Sequence, residues 1–220
     1  DVGDHNVCYV HVTLVPYIGP SGEHKTKPTQ HSVRELMEIG IQPHVLICRS
    51  EKPLSEEIRK KIALFTNVDL DGVIESKDLE TIYEVPLSQK EQRLDDFILD
   101  RLGLDVPQPD LRAWEKMVHR VLHPSAGKAR IAVVGKYTAL VDSYKSIQEA
   151  LIHGGIANNV KVTTEWLSSD YFDGGKGVDS LTEYDGLLIP GGFGPRGVEG
   201  MLEAIRWARE NQMPFFGICL

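Results

Sequence analysis

Cys219 stands two residues after Gly217, at the end of the apolar run Pro214-Phe215-Phe216-Gly217-Ile218. A cysteine so placed can serve as a nucleophile where a strand turns sharply into a helix. The turn lifts the side chain clear of the sheet, and the preceding glycine admits a close backbone approach. A helix N-terminus after such a turn favours a thiolate and offers N–H groups to an oxyanion. Taken alone, Gly-x-Cys at a strand end is more often a buried core cysteine. Upstream, Gly186-Leu187-Leu188-Ile189 runs into Pro190-Gly191-Gly192-Phe193-Gly194, a turn able to aim backbone N–H groups at an oxyanion or a substrate carboxylate. That turn alone reads better as an ordinary strand-to-helix connection. The two signals together, with a helix between them, favour an enzyme.

A second chemical candidate is Gly22-Glu23-His24-Lys25-Thr26-Lys27-Pro28-Thr29-Gln30-His31-Ser32, which follows a strand pattern at Val10–Ile18. Two lysines flanking a threonine before a helix N-terminus can hold a triphosphate, because ammonium charge, hydroxyls and free N–H groups converge there. A lone Lys-x-Lys is ordinarily a solvated loop. Lys61, beside Lys60, reads by itself as a surface helix lysine, and Lys77-Asp78-Leu79 as a turn after a strand. The eight histidines form no metal-ligand spacing, and His31 and His153 read as capping or packing residues. Arg196 is open between a surface charge and an interdomain contact.

The elements that must position these residues alternate. Strand patterns fall at Cys8–Ile18, Val45–Cys48, Gly72–Glu75, Ile131–Val134, Val162–Leu167, Gly186–Ile189 and Pro214–Ile218. Several are apolar on both faces, as buried parallel strands are. A helix with Val33, Leu36 and Met37 on one face is expected to start at a capping box on Ser32 and end at Gly40. Ser55 opens a second, with Ile58, Ile62 and Phe65 inward; Leu94, Phe97 and Ile98 mark a third, ending at Gly103. Leu111–Leu122 is a lone helix, Tyr144, Ile147 and Leu151 mark one ending at Gly154, and Val198, Met201, Leu202 and Ile205 mark the last. Residues 168–182 read as a variable loop. The pattern predicts an α/β fold of two parallel-sheet domains with right-handed crossovers. Their boundaries are placed at 1–103 and 129–220, with 104–128 a linker bearing a helix, because prolines and a turn-forming stretch near Gly127 separate the two runs.

A net charge of −8 argues against a general nucleic-acid binder, so any phosphate site must be local. Three widely spaced cysteines, Cys8, Cys48 and Cys219, read as free thiols of a reducing cytoplasm. No apolar run is long enough to span a bilayer, which predicts no membrane partner. The chain opens on Asp1 and closes just after Gly217-Ile218-Cys219, which reads as an internal piece of a longer protein.

With these residues in view, Pro190-Gly191-Gly192-Phe193-Gly194 followed by Gly217-Ile218-Cys219-Leu220 resembles a class I glutamine amidotransferase domain. The stretch Val12–Ile18 with Gly22-Glu23-x-Lys25-Thr26-Lys27-Pro28-Thr29-Gln30-His31-Ser32-Val33 resembles the CTP synthase family. That resemblance continues through Cys48-Arg49-Ser50, Lys61–Phe65, Val134-Gly135-Lys136-Tyr137, Tyr144-Lys145-Ser146 and His153-Gly154-Gly155. It implies a P-loop-type synthetase half and an amidotransferase half, both incomplete here, in an enzyme that aminates UTP to CTP with ATP and glutamine-derived ammonia. Cys219 would be the nucleophile, with Gly191, Gly192 and Leu220 around glutamine and its oxyanion. Lys25, Thr26, Lys27, Pro28, Thr29, Gln30 and Lys61 would contact UTP and the feedback inhibitor CTP. Lys77, Asp78 and Leu79 would hold the adenine of ATP, and Phe193 would contact the activator GTP. The resemblance further implies a homotetramer, and magnesium carried with ATP on ligands outside these residues. The family's phosphate loop and its triad His and Glu are not among them either. A GMP synthase-type amidotransferase would share Gly-Ile-Cys but not Lys-Thr-Lys-Pro-Thr-Gln, and a regulatory relative that binds CTP without chemistry is a further alternative.

Overall fold

A computed structural model describes residues 3, 6–138 and 140–219. The chain divides into two units, Asp1–Val118 and His119–Leu220. In the first, β1 (Val10–Leu14) leads through a small antiparallel pair, β2 (Tyr17–Ile18) and β3 (Glu23–His24), to helix α1 (Lys27–Glu38). Then come β4 (Val45–Ser50), α2 (Glu56–Thr66), β5 (Val73–Lys77), α3 (Val85–Glu91), α4 (Leu94–Leu102) and α5 (Arg112–Leu122), which crosses the division between the units. Strands β1, β4 and β5 form a parallel sheet in the order β1-β4-β5, with Val12 opposite Ile47 and Ile47 opposite Ile74.

Both faces of β4 are buried, as its unbroken apolar run requires. Leu46 and Cys48 pack with Val33 of α1 and Ile62 of α2 on one side. Val45 and Ile47 pack with Leu94, Phe97 and Ile98 of α4 on the other. Where the sequence predicts one long strand over Cys8–Ile18, the chain breaks after β1. Pro16 has no N–H for a ladder, and its carbonyl accepts instead from the Lys25 N–H at 2.8 Å.

Helix α1 starts at Lys27, a turn and more before the expected capping box on Ser32. Pro28 fits the first turn, where an amide proton would be unpaired in any case. Ser32 lies inside the helix and shares a 2.8 Å hydrogen bond with His11 Nε2. In α2, Ser55 caps as expected, accepting from the Ile58 N–H. Its inner face is nevertheless Ile58, Ile62 and Thr66, and Phe65 is 62% exposed. A threonine can occupy that buried position because its hydroxyl donates to the Ile62 carbonyl at 2.7 Å. Gly103 closes α4 in the left-handed conformation, as expected.

The second unit is a four-stranded parallel sheet in the order β7-β6-β8-β9, where β6 is Lys128–Gly135, β7 Lys161–Ser168, β8 Gly186–Ile189 and β9 Phe215–Gly217. Helix α6 (Lys145–Asn158) joins β6 to β7, and α7 (Val198–Glu210) joins β8 to β9. α6 runs through Gly154, where the sequence predicts its end, and closes on Asn159 at φ 56°. The expected loop 168–182 is two runs of tight turns, Ser169–Gly175 and Val178–Glu183. They insert Phe172 and Leu181, both fully buried, into the core with Ala132, Leu187, Met201 and Ala204. Among the described residues no helix is long and apolar enough to cross a membrane.

Candidate functional site

In the second unit, β8 and β9 are parallel neighbours, with Ile189 opposite Gly217. The loops leaving their carboxyl ends therefore emerge side by side, where open parallel sheets usually bind ligands. The Ile218 N–H still donates to the Ile189 carbonyl at 2.9 Å, so pairing persists to the residue before the thiol. Cys219 then turns to φ 64° and is exposed. A non-glycine residue in this left-handed region carries a cost in backbone energy and is a feature of nucleophile turns. Gly191 packs against the thiol turn: a Cβ there would lie 3.0 Å from Cys219 Cβ and 3.7 Å from its Sγ, so a side chain would crowd it. Leu220 lies outside the described residues.

A cavity of about 640 Å³ opens between this thiol, the glycine turn and α7, lined in part by Lys136, Gly192, Phe193, Met201 and Ile218. Phe193 projects into solvent, 89% exposed. Two cations the sequence does not assign complete the turn. Lys136, just after β6 and only 8% exposed, donates through Nζ to the carbonyls of Gly192, Phe193 and Gly194. Arg196 donates to the Lys136 carbonyl at 2.8 Å. The one hint available was the position of Lys136 at the end of an apolar strand, in Val134-Gly135-Lys136-Tyr137.

In the first unit the Lys25–Gln30 segment is anchored from within. Thr29 is fully buried, accepts from the Thr13 hydroxyl at 3.2 Å and donates to the Leu14 carbonyl at 3.0 Å. Thr26 is buried as well, and Gln30 Nε2 donates to its hydroxyl at 3.0 Å. Lys27 and Pro28 are exposed. Lys25 Nζ lies 2.7 Å from Glu23 Oε2. The hydrogen bond from Lys25 holds the Glu23 carboxyl below its usual range, and the charge of exposed Lys61 adds to the effect. Lys25 and Lys61, distant in sequence, thus act on one carboxylate.

Lys77, Asp78 and Leu79 line a separate cavity of about 600 Å³ at the carboxyl end of β5, together with Arg49 and Gln89. Its rim is fixed by the Asp78 N–H, which donates to the Ser50 carbonyl at 3.0 Å, and by Arg49 paired with Asp78 at 3.2 Å. Among the described residues no group of three or more His, Cys, Asp or Glu can hold a metal ion.

Residues 139–220 match the family model described as Glutamine amidotransferase class-I, and residues 1–104 match that described as CTP synthase N-terminus. The second half of the chain is thus similar to the class-I glutamine amidotransferases, in keeping with a thiol turn beside a glycine turn, and the first half to the CTP synthase N-terminus. Relatives that match over the whole chain include CTP synthases. That of Clostridium perfringens (strain SM101 / Type A) is 53% identical over 100% of this chain and 41% of its own length. Those of Paramagnetospirillum magneticum and Methanocaldococcus jannaschii are 52% and 51% identical, again over 100% of this chain, and are covered to 40% and 42%. The chain spans about two fifths of the length of these curated relatives. A solved structure described as "Trypanosoma brucei CTPS - glutaminase domain with bound acivicin" is 38% identical over 40% of this chain and 35% of that one, at a TM-score of 0.38, too low to bear on the fold.

Proposed function

We propose that the chain is a stretch of a CTP synthase that carries the end of the synthetase domain, a linker and the start of the glutamine amidotransferase domain. The observation that carries this reading is Cys219, at φ 64° on the end of β9, set against the Gly191 turn on the end of β8. It occurs in a chain whose other half matches the CTP synthase N-terminus.

In the proposed reaction Cys219 Sγ attacks the side-chain amide carbon of glutamine, and the carbonyl π electrons move onto oxygen. The N–H groups of the Gly191–Gly192 turn and of Leu220 stabilise that oxyanion. Its collapse breaks the C–N bond, and the nitrogen leaves as ammonia with the proton given up by the thiol. Water then cleaves the glutamyl thioester to glutamate and restores the thiol. A histidine outside the described residues carries these protons. In the synthetase half, ATP phosphorylates the 4-oxygen of UTP, and ammonia displaces phosphate to give CTP. Lys25, Lys27 and Lys61 supply charge to the nucleotide triphosphate, which must outcompete Glu23 for Lys25. Thr26, Pro28, Thr29 and Gln30 shape the loop that presents them, with Thr26 and Thr29 acting from the interior. The cavity of Lys77, Asp78 and Leu79 takes the adenine. CTP feedback at the UTP site, GTP activation at Phe193, a homotetramer, magnesium with ATP and a cytoplasmic location belong to the same reading and enter none of these steps.

The test is CTP formation by the full-length protein, assayed with glutamine and separately with ammonium. Cys219→Ala is expected to abolish the glutamine-dependent reaction and to retain the ammonia-dependent one, because the thiol serves only amide hydrolysis. Equal loss of both would overturn this division of roles.

A further inference from the structure

Lys136 has no role in the reaction as written, yet its placement is costly. An ammonium withdrawn from water must have its donors satisfied, or burial is unfavourable by several kcal/mol. Here three donors meet three consecutive carbonyls: Gly192 at 3.5 Å, Phe193 at 3.3 Å, and Gly194. The contact is reciprocal. Arg196, at the far end of the same turn, returns a hydrogen bond to the Lys136 carbonyl. The aliphatic stem of Lys136 lies against Gly192, where a Cβ would come within 3.1 Å of Lys136 Cδ.

This geometry dictates where the amides point. A trans peptide holds its C=O and N–H on opposite sides, and no cis bond occurs among the described residues. Drawing the carbonyls of Gly192 and Phe193 toward one ammonium directs the N–H groups of Phe193 and Gly194 the other way. The Gly191–Gly192 peptide, beside Cys219, joins these held planes through Gly192, so the clamp narrows the conformations open to it. A glycine-rich turn has many alternative conformations, and a preorganised oxyanion site cannot tolerate them.

We propose that Lys136 is a positioning residue for glutamine hydrolysis: by holding the carbonyls of Gly192, Phe193 and Gly194 it orients the glycine turn's N–H groups for the oxyanion formed at Cys219. The proposal rests on the amidotransferase reading above. Its test separates oxyanion stabilisation from thiol reactivity and from folding. In the full-length protein, Lys136→Met keeps the length of the side chain and removes its charge.

Three quantities are measured for each variant: kcat and KM for glutamine hydrolysis, the rate at which iodoacetamide alkylates Cys219, and the thermal midpoint. Alkylation displaces iodide at a saturated carbon and forms no oxyanion, so it reports the thiol alone. For Lys136→Met, kcat is expected to fall about 100-fold, the effect typical of one lost oxyanion donor, with KM and the alkylation rate within about twofold of the parent. Should that variant fail to fold, Arg196→Gln, at the exposed end of the clamp, is expected to lower kcat about tenfold by the same route, with alkylation unchanged. An unaltered kcat, or a parallel fall in alkylation, overturns the proposal and leaves the amidotransferase reading standing. A rise in KM alone also overturns it, in favour of direct substrate binding. A parent protein whose Cys219 alkylates but which releases no ammonia from glutamine overturns both.

Discussion

At the residue scale, Cys219 and Lys25 show how differently two chemical signals depend on their surroundings. Cys219 is exposed at a left-handed turn, with Gly191 against it. Lys25 is on the surface and already shares its charge with Glu23. Under the proposed function, Lys25→Ala or Lys27→Ala is expected to raise the UTP KM and to weaken CTP inhibition together. Each lost charge-assisted contact is worth roughly 1.5–3 kcal/mol, an order of magnitude or more in affinity. Steady-state kinetics across UTP and CTP concentrations check this, and normal UTP kinetics with weakened CTP inhibition would separate the two pockets. Glu23→Gln is expected to act in the opposite direction, lowering the UTP KM, because it frees Lys25 from its ion pair.

At the element scale, β1 and α1 hold the Lys25–Gln30 segment through buried polar chemistry. Thr29→Val removes a hydroxyl that donates to the Leu14 carbonyl and accepts from Thr13. Leaving this partly buried carbonyl without its partner is expected to cost about 1 kcal/mol, read as a lower denaturant midpoint, with Thr29→Ser close to the parent. On the same sheet, burial pushes the Cys48 thiol up to about 12, against an opposing pull from Arg59. A raised folded-state value favours the folded state while the thiol is neutral in both states. That contribution is therefore complete below pH 9, the ordinary value, and is lost as pH rises from there toward about 12 while the unfolded thiol ionises first. The unfolding free energy is expected to fall by about 1.4 kcal/mol by pH 10, read as a lower denaturant midpoint, and to fall less in Cys48→Ala. A pH slope identical in the two proteins would remove Cys48 as its cause.

Across the whole molecule, the thiol cavity and the sheet edges set what the chain can do by itself. No histidine lines the cavity at Cys219 among the described residues. Under the proposed function the base and proton carrier is a histidine outside the described residues, so the 220-residue chain is expected to release no ammonia from glutamine. Release that is lost on Cys219→Ala would show that the described residues suffice. Val12 and Leu14 of β1 are 61% and 59% exposed, and Phe216 of β9 is 63% exposed. Apolar side chains uncovered on edge strands promote association, so the isolated chain is expected to self-associate, as static light scattering against concentration would report.

The alternation of strands with helices, the parallel sheets, the Ser55 cap and the Gly103 stop were legible in the sequence, because apolar runs and capping residues act over a few neighbouring positions. The thiol turn and the glycine turn were legible as separate signals for the same reason. Their adjacency was not, since it depends on β8 and β9 being neighbours in the sheet order. Periodicity placed Phe65 on the inner face of α2, but the packing chose Thr66, whose hydroxyl is satisfied within its own helix. A charged loop around Lys25 gave no sign that Thr29 points inward, because the Leu14 carbonyl and the Thr13 hydroxyl that make its burial favourable come from β1. Lys136 meets carbonyls 56 to 58 positions away. Nothing in local composition distinguishes a lysine bound for water from one bound for a turn across the sheet; the tertiary structure decides by bringing three carbonyls to its ammonium.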